Sequence, residues 1–250
     1  MAALISIGGG QGILPAMAVA QETTIDDNTY ANYKVYGNND GTAPTNYNGD
    51  TNNNSITITE SGSVQEVYGG QSTNGQNTNS NAVKIAGQVP NDESDPNNVI
   101  YGIAIGGNTN NNGNADFNHV TVESTGNVGH NVYGGMAENG SANNNTVEID
   151  GTVSHDTYGG YSENGNAEYN TVTINGNVYS RSIAGHSTTG KAINNTAILN
   201  NGIATVITGG HSNNGTAELN QTIINGGQTT MAMGGVGESG GGTSNVKKTH

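Results

Sequence analysis

The sequence predicts an all-β fold, a single-stranded parallel β-helix (β-solenoid) with coils of about 25 residues. Three observations predict it. An Asn recurs before a short strand at Asn54, Asn81, Asn118, Asn145, Asn170, Asn195, Asn220 and Asn245, with spacings of 27, 37, 27, 25, 25, 25 and 25. A pair of small residues recurs in phase with it, at Gly69-Gly70, Gly106-Gly107, Gly134-Gly135, Gly159-Gly160, Ala184-Gly185, Gly209-Gly210 and Gly234-Gly235. Apolar residues alternate with polar ones after each Asn, which marks a strand with one buried face.

Each element of the unit has a physical reading. The alternating residues are Ile56/Ile58, Val83/Ile85, Val120/Val122, Val147/Ile149, Val172/Ile174 and Ala197/Leu199. A turn follows at Gly62, Gly87, Gly126, Gly151 and Gly176, with Asn201 in the equivalent place one coil later, as at a position needing φ > 0. Two residues on, Val64, Val89, Val128, Val153, Val178 or Ile203 opens a second strand that ends at the small pair. A polar turn closes the unit, with Ala142, Ala167, Ala192 and Ala217 inside it. One such unit cannot bury its inner face, so coils must stack, and like residues then form ladders about 4.8 Å apart. Asn suits a ladder because its amide donates to one neighbour and accepts from the other.

These columns divide the chain into three parts. Residues 1–20 are apolar and small and end in Ala18-Val19-Ala20, the form of a secretory cleavage site, so they read as a truncated signal peptide without its basic start. Residues 21–53 hold one degenerate unit, Val35-Tyr36-Gly37, and read as an N-terminal cap or first coil. Residues 54–250 form seven full coils and an unfinished eighth opening at Asn245-Val246-Lys247-Lys248. The polar insertion Pro90 to Pro96 accounts for the spacing of 37 and is expected to protrude as a loop.

Composition restricts the function. Gly and Pro together are 44 of 250 residues, below the level typical of low-complexity disorder. Twenty acidic residues against six basic ones give a net charge of −14, which argues against nucleic acid and anionic lipid as partners. With no Cys there is neither a disulfide nor a thiolate metal site. No stretch after residue 20 approaches the ~20 apolar residues of a membrane span, so no membrane insertion is expected of this segment.

Few residues suggest chemistry. His186 and His211 share a column in adjacent coils, but Gln71, Met136 and Tyr161 stand there in other coils, so they read as a surface pair rather than a metal site. His119, His130 and His155 read as separate columns. Glu138, Glu163 and Glu238 share a column with Thr188 and Asn213, without the nonapeptide of calcium-binding β-rolls. Thr57/Thr59 and Thr171/Thr173 resemble ice-binding rows, interrupted by Lys84, Glu148 and Ile198. Asp150 and Asp156, near Glu148, read as residues of solvated turns. Among β-helix enzymes a lyase needs a basic residue, yet Lys34, Lys247 and Lys248 are three of only six basic side chains and lie near the ends. No catalytic, cofactor or metal site is assigned.

The shared unit, roughly Y-G-G-x-S-x-N-G-x-A-x-x-N-T-V-x-I-x-G-x-V and fullest from Tyr158 to Val178, resembles the passenger repeats of bacterial autotransporters over residues 54–250. The resemblance implies an exported, non-enzymatic scaffold at the bacterial cell surface, serving adhesion or aggregation. It implies glycans or proteins of a host or neighbouring cell as partners, and a C-terminal β-barrel in the full-length protein. Two alternatives stand beside it: a carbohydrate-active β-helix enzyme, and a curli-like amyloid subunit, whose Gly/Asn-rich repeats are similar but shorter.

Overall fold

Alternating β-branched residues and tight turns build parallel strands whose inner faces meet across a narrow tube. The computed structural model describes residues 4–6, 22–37, 51–94, 99–239 and 242–248. It is all-β, a solenoid of about seven turns spaced roughly 25 residues apart. Apart from the strand Leu4–Ser6, which pairs in parallel with Glu22–Ile25, the expected signal peptide lies outside the described residues. Among the described residues no helix is long and apolar enough to cross a membrane.

Two parallel sheets run the length of the stack. The first carries Glu22–Ile25, Ser55–Ile58, Ala82–Ile85, His119–Val122, Thr146–Ile149, Thr171–Ile174 and Thr196–Leu199, then Ala217–Ile224 and Gly242–Lys248. The second carries Lys34–Tyr36, Glu66–Ser72, Ile103–Thr109, Val132–Ala137, Thr157–Ser162, Asn177–Ser187, Ile203–Ser212 and Met231–Gly237. Residues 22–37 therefore make a coil of their own, since Ile25 pairs with Ile58 and Val35 with Val67. The expected insertion leaves the stack after Val89 and returns at Gly102. Its base is closed by an antiparallel bridge between Asp92 and Ile100, and Gln65 Nε2 donates to the carbonyls of Pro90 and Ile100.

The core lies between the sheets. Val147 and Ile149 from the first sheet and Val153 from the second are fully buried, as are their counterparts above and below. Burying one such side chain stabilises by roughly 1.5–3 kcal/mol, so a tube this narrow needs only a few per coil.

The Asn column is a continuous buried ladder. In each step from Asn54 to Asn220, Nδ2 donates to Oδ1 of the next coil at 3.0–3.1 Å, and the backbone N–H donates to the same oxygen. The other Nδ2 hydrogen of Asn145, Asn170, Asn195 and Asn220 goes to a backbone carbonyl one coil back. The small pair faces this ladder: a Cβ on Gly185 would lie 2.3 Å from the Asn195 carboxamide, and one on Gly160 2.5 Å from that of Asn170. The two columns keep one phase because they touch.

Three details depart from the sequence reading. The turn glycines Gly87, Gly151 and Gly176 are not in the left-handed region; each is needed because a Cβ would strike the carbonyl of the coil below at 2.1–2.3 Å. Gly202, at φ +68°, makes the turn expected of Asn201, and Ala204 rather than Ile203 enters the core opposite Val178. At the last coil Ser244, not Asn245, pairs with Asn220, while Asn245 pairs with Gln221. The last two are one-residue slips beside a bulge, where neither side-chain alternation nor a ladder bond fixes the count.

Candidate functional site

The outer face of the second sheet carries the densest cluster of ionisable and aromatic side chains. In Val132–Ala137 the doubled glycine interrupts the in–out alternation, so that Tyr133 and Met136 both turn outward while Val132 and Ala137 turn in. Stacking coils then builds two neighbouring columns on either side of the glycine bend. Tyr133 and Tyr158 stack at 5.0 Å with their planes 8° apart. Beside them Tyr161 stacks on His186 at 4.9 Å, and His186 meets His211 at 5.0 Å with the rings tilted by 59°. The columns touch edge to face, Tyr158 against Tyr161 at 5.4 Å, the geometry that aromatic quadrupoles favour.

An ion pair between a buried carboxylate and a half-exposed guanidinium anchors this seam. Asp156 is only 2% exposed; Arg181 Nη2 reaches its Oδ2 at 2.5 Å, Arg181 Nε lies within 3.3 Å of both oxygens, and Tyr158 donates its hydroxyl at 3.0 Å. Burial pushes the carboxyl upward, but hydrogen bonds from Arg181 and Ser180 outweigh it and hold its pKa down at about 2. Burial raises the Tyr133 phenol to about 12 against the opposing hydrogen bond from Asn131. Burial also depresses His186 to about 4, helped by His211 and Arg181. The first coils repeat the design: Lys34 pairs with Glu66 at 3.0 Å, Tyr68 donates to Glu66, and Tyr36 stacks on Tyr68.

Several sequence readings change here. Asp156 is a buried carboxylate paired with Arg181 rather than a residue of a solvated turn, because its column neighbour one coil on is Arg181. His186 is buried, at 8% exposure, not a surface residue. His130 and His155 share a column after all, two residues past Val128 and Val153; they stack at 4.4 Å, and Tyr101 from the insertion lies 4.2 Å from His130. His119 stands apart, bonded to Thr121.

The remaining candidates are dispersed. Glu138 and Glu163 line a shallow cleft of about 230 Å³ beside Asn108 and Asn110, where Glu138 accepts the Asn111 N–H. Glu238 lies 3.3 Å from His211. Asp150 accepts from Asn175 and begins an exposed amide ladder through Asn200 and Asn225. Thr57 pairs with Lys84 and Glu148 with Thr173, so the threonine rows are interrupted; Lys84 bonds Glu123 at 2.7 Å. Among the described residues no three His, Asp or Glu side chains are arranged to hold a metal. Sequence reasoning missed the pairing of Asp156 with Arg181. The signal was present in their separation of 25, the coil length, with Tyr158 two residues past Asp156 as Tyr68 is past Glu66.

No family model, no curated protein and no solved structure matches this chain.

Proposed function

We propose that the chain is a non-enzymatic structural segment of an exported bacterial surface protein, of the passenger type that its repeats resemble. It serves as a stiff scaffold whose outer columns make adhesive contacts. The observation that carries this reading is the division of labour within each coil. The Asn ladder, the glycines that press on it and the inward aliphatic pair of the first sheet recur from coil to coil, whereas the outward columns of the second sheet change. Gln71, Asn108, Met136, Tyr161, His186, His211 and Val236 occupy one such column in turn. An enzyme concentrates its chemistry in one cleft with groups whose protonation is matched to a reaction. Here the perturbed groups Asp156 and Tyr158 bond each other and Arg181, and Tyr68 bonds Glu66 beside Lys34, arrangements that structural ion pairs explain.

The test has two arms. Protease shaving of intact bacteria expressing the full-length protein should release fragments of this chain. Incubation of the purified chain with pectin, alginate and host glycans should give no products. Turnover of any of these replaces this reading with the carbohydrate-active enzyme, and full protection from shaving removes the surface location.

A further inference from the structure

The residue before each ladder Asn turns the corner of the coil in the left-handed region: Asn53, Ser80, Phe117, Asn144, Tyr169, Asn194 and Leu219 all have φ between 54° and 59°. Asn tolerates this conformation; bulky side chains rarely adopt it. Yet Phe117, Tyr169 and Leu219 adopt it with 61%, 56% and 68% of their surface exposed. They accept an unfavourable backbone without the return of burial, so folding does not account for their presence.

Their spacing is regular. Backbone hydrogen bonds carry the corner from Phe117 through Asn144 and Tyr169 to Asn194, each residue or its predecessor meeting the next coil. Bulky residues thus alternate with Asn, and recur at every second coil, about 9.6 Å apart at a strand separation of about 4.8 Å. The preceding position follows the same rhythm: Asp116, Glu168 and Glu218 accompany the bulky residues, whereas Asn143 and Ile193 accompany the amides. From Asp116-Phe117 to Glu218-Leu219 every second coil therefore presents a carboxylate next to an exposed apolar side chain, aromatic in two of the three cases, whereas the two corners before them are Asn53 and Ser80.

We propose that this ridge binds an extended β-1,4-linked glycan whose hexoses carry free amino groups. In such a chain alternate rings present the same face, so one face recurs once per disaccharide, a length close to the two-coil spacing of the ridge. An aromatic ring takes the apolar face of a sugar, and an aromatic beside a carboxylate attracts an ammonium group. The protein's net charge of −14 favours a cationic ligand and repels polyuronates. The Asn residues between the bulky ones offer amides to the intervening ring. This inference deepens the adhesive reading and rests on it. Its test uses the purified chain, so a failure here is distinguishable from a failure of the shaving assay.

The probes are hexamers of β-1,4-linked glucosamine and of β-1,4-linked glucose, polygalacturonate, and polylysine as a sugar-free cation. The variant is F117N/Y169N/L219N, which places at three corners the residue that Asn144 and Asn194 already supply. It should fold with a Tm equal to or above that of the parent. The parent should bind the glucosamine hexamer, more weakly as salt rises, and the glucose hexamer less well, with no binding to polygalacturonate. The variant should lose at least about tenfold in affinity. The proposal is overturned by equal binding of parent and variant, by polylysine binding as tightly as the glucosamine hexamer, or by no binding to any glycan. A parent that dimerises through the ridge, with the variant monomeric and neither binding glycan, overturns it in favour of contact between copies.

Discussion

Asn195 Nδ2 donates to Asn220 Oδ1 at 3.0 Å, and the Asn195 backbone N–H donates to that same oxygen at 2.9 Å. Below it, Asn195 Oδ1 accepts two bonds from Asn170, and its second Nδ2 hydrogen reaches the Ala167 carbonyl. The amide is fully buried with every donor and acceptor used. Asn195→Leu should therefore strand the Asn170 N–H and one Nδ2 hydrogen of Asn170. At about 1–3 kcal/mol for each unsatisfied group, the loss should reach several kcal/mol, read as a lower denaturation midpoint. Glu93→Ala in the exposed insertion should stay within about 0.5 kcal/mol. Equal effects at the two sites would refute the ladder as a stabilising element.

The two glycines of the pair should differ in tolerance. A Cβ on Gly160 lies 2.5 Å from the Asn170 carboxamide, inside the ladder itself. The first position meets a neighbouring carbonyl instead, at 2.4 Å for Gly159, and the chain already places Ala184 there, fully buried. Gly159→Ala should thus cost less than Gly160→Ala, by about 1 kcal/mol or more on the scale of core overpacking. Denaturant midpoints of the two variants decide it, and a reversed order would mean that the Asn column is not what requires the second glycine.

This contact also explains how much was legible in the sequence. The columns that touch across the interior, Asn against Gly and Val against Ile, recur because each coil must satisfy the same neighbours, and they revealed the period and the strands. The errors fall where no neighbour enforces register. Between the second-sheet valines and the small pair the backbone holds a bulge: register shifts between Val178 and Arg181 against Ala204 and Val206. That slip is why Ala204 rather than Ile203 faces Val178, whereas Asp156 and Arg181 keep the plain 25-residue spacing and their pairing was legible in it. His130 and His155 were legible in the same way, by their equal distance from Val128 and Val153.

Acid should weaken the fold through His186. Its pKa is about 4 in the folded chain against about 6.5 unfolded. Between these values the unfolded chain binds the extra proton, so stability is fully present above about pH 6.5 and falls as the pH drops toward 4. For a side chain this buried the loss should be on the order of 2–3 kcal/mol. His186→Gln should flatten the dependence of the urea midpoint on pH across that window. A profile as steep as that of the parent would assign the effect to other groups.

Asp156 acts at lower pH. Its folded pKa of about 2 lies below the ordinary 3.8, so its contribution is present above about pH 4 and is lost as the pH falls toward 2. Arg181 is half exposed, which screens the pair. Arg181→Met should cost about 1–2 kcal/mol at pH 7, by leaving a buried carboxylate uncompensated. In the double variant D156N/R181M much of that loss should return. Denaturation of the three proteins at pH 7 checks the sign, and a double variant less stable than R181M would contradict it.

The last prediction is a stabilising change. One inward column of the second sheet runs Val67, Ala104, Val132, Thr157, Ser182, Ile207. Thr157 and Ser182 are fully buried there, and their hydroxyls have no hydrogen-bond partner. Each hydroxyl has given up water and gained nothing, at a cost of about 1–3 kcal/mol. Val has nearly the shape of Thr and matches Val132 one coil below, so Thr157→Val fills the same space without the polar group. It should raise stability by about 1 kcal/mol, and Thr157→Ser, which keeps the hydroxyl and loses the methyl, should lower it by a comparable amount. Thermal melts of the two variants check the order Val, Thr, Ser. A Val variant less stable than the parent would mean that the Thr157 hydroxyl is satisfied within the tube and costs the fold nothing.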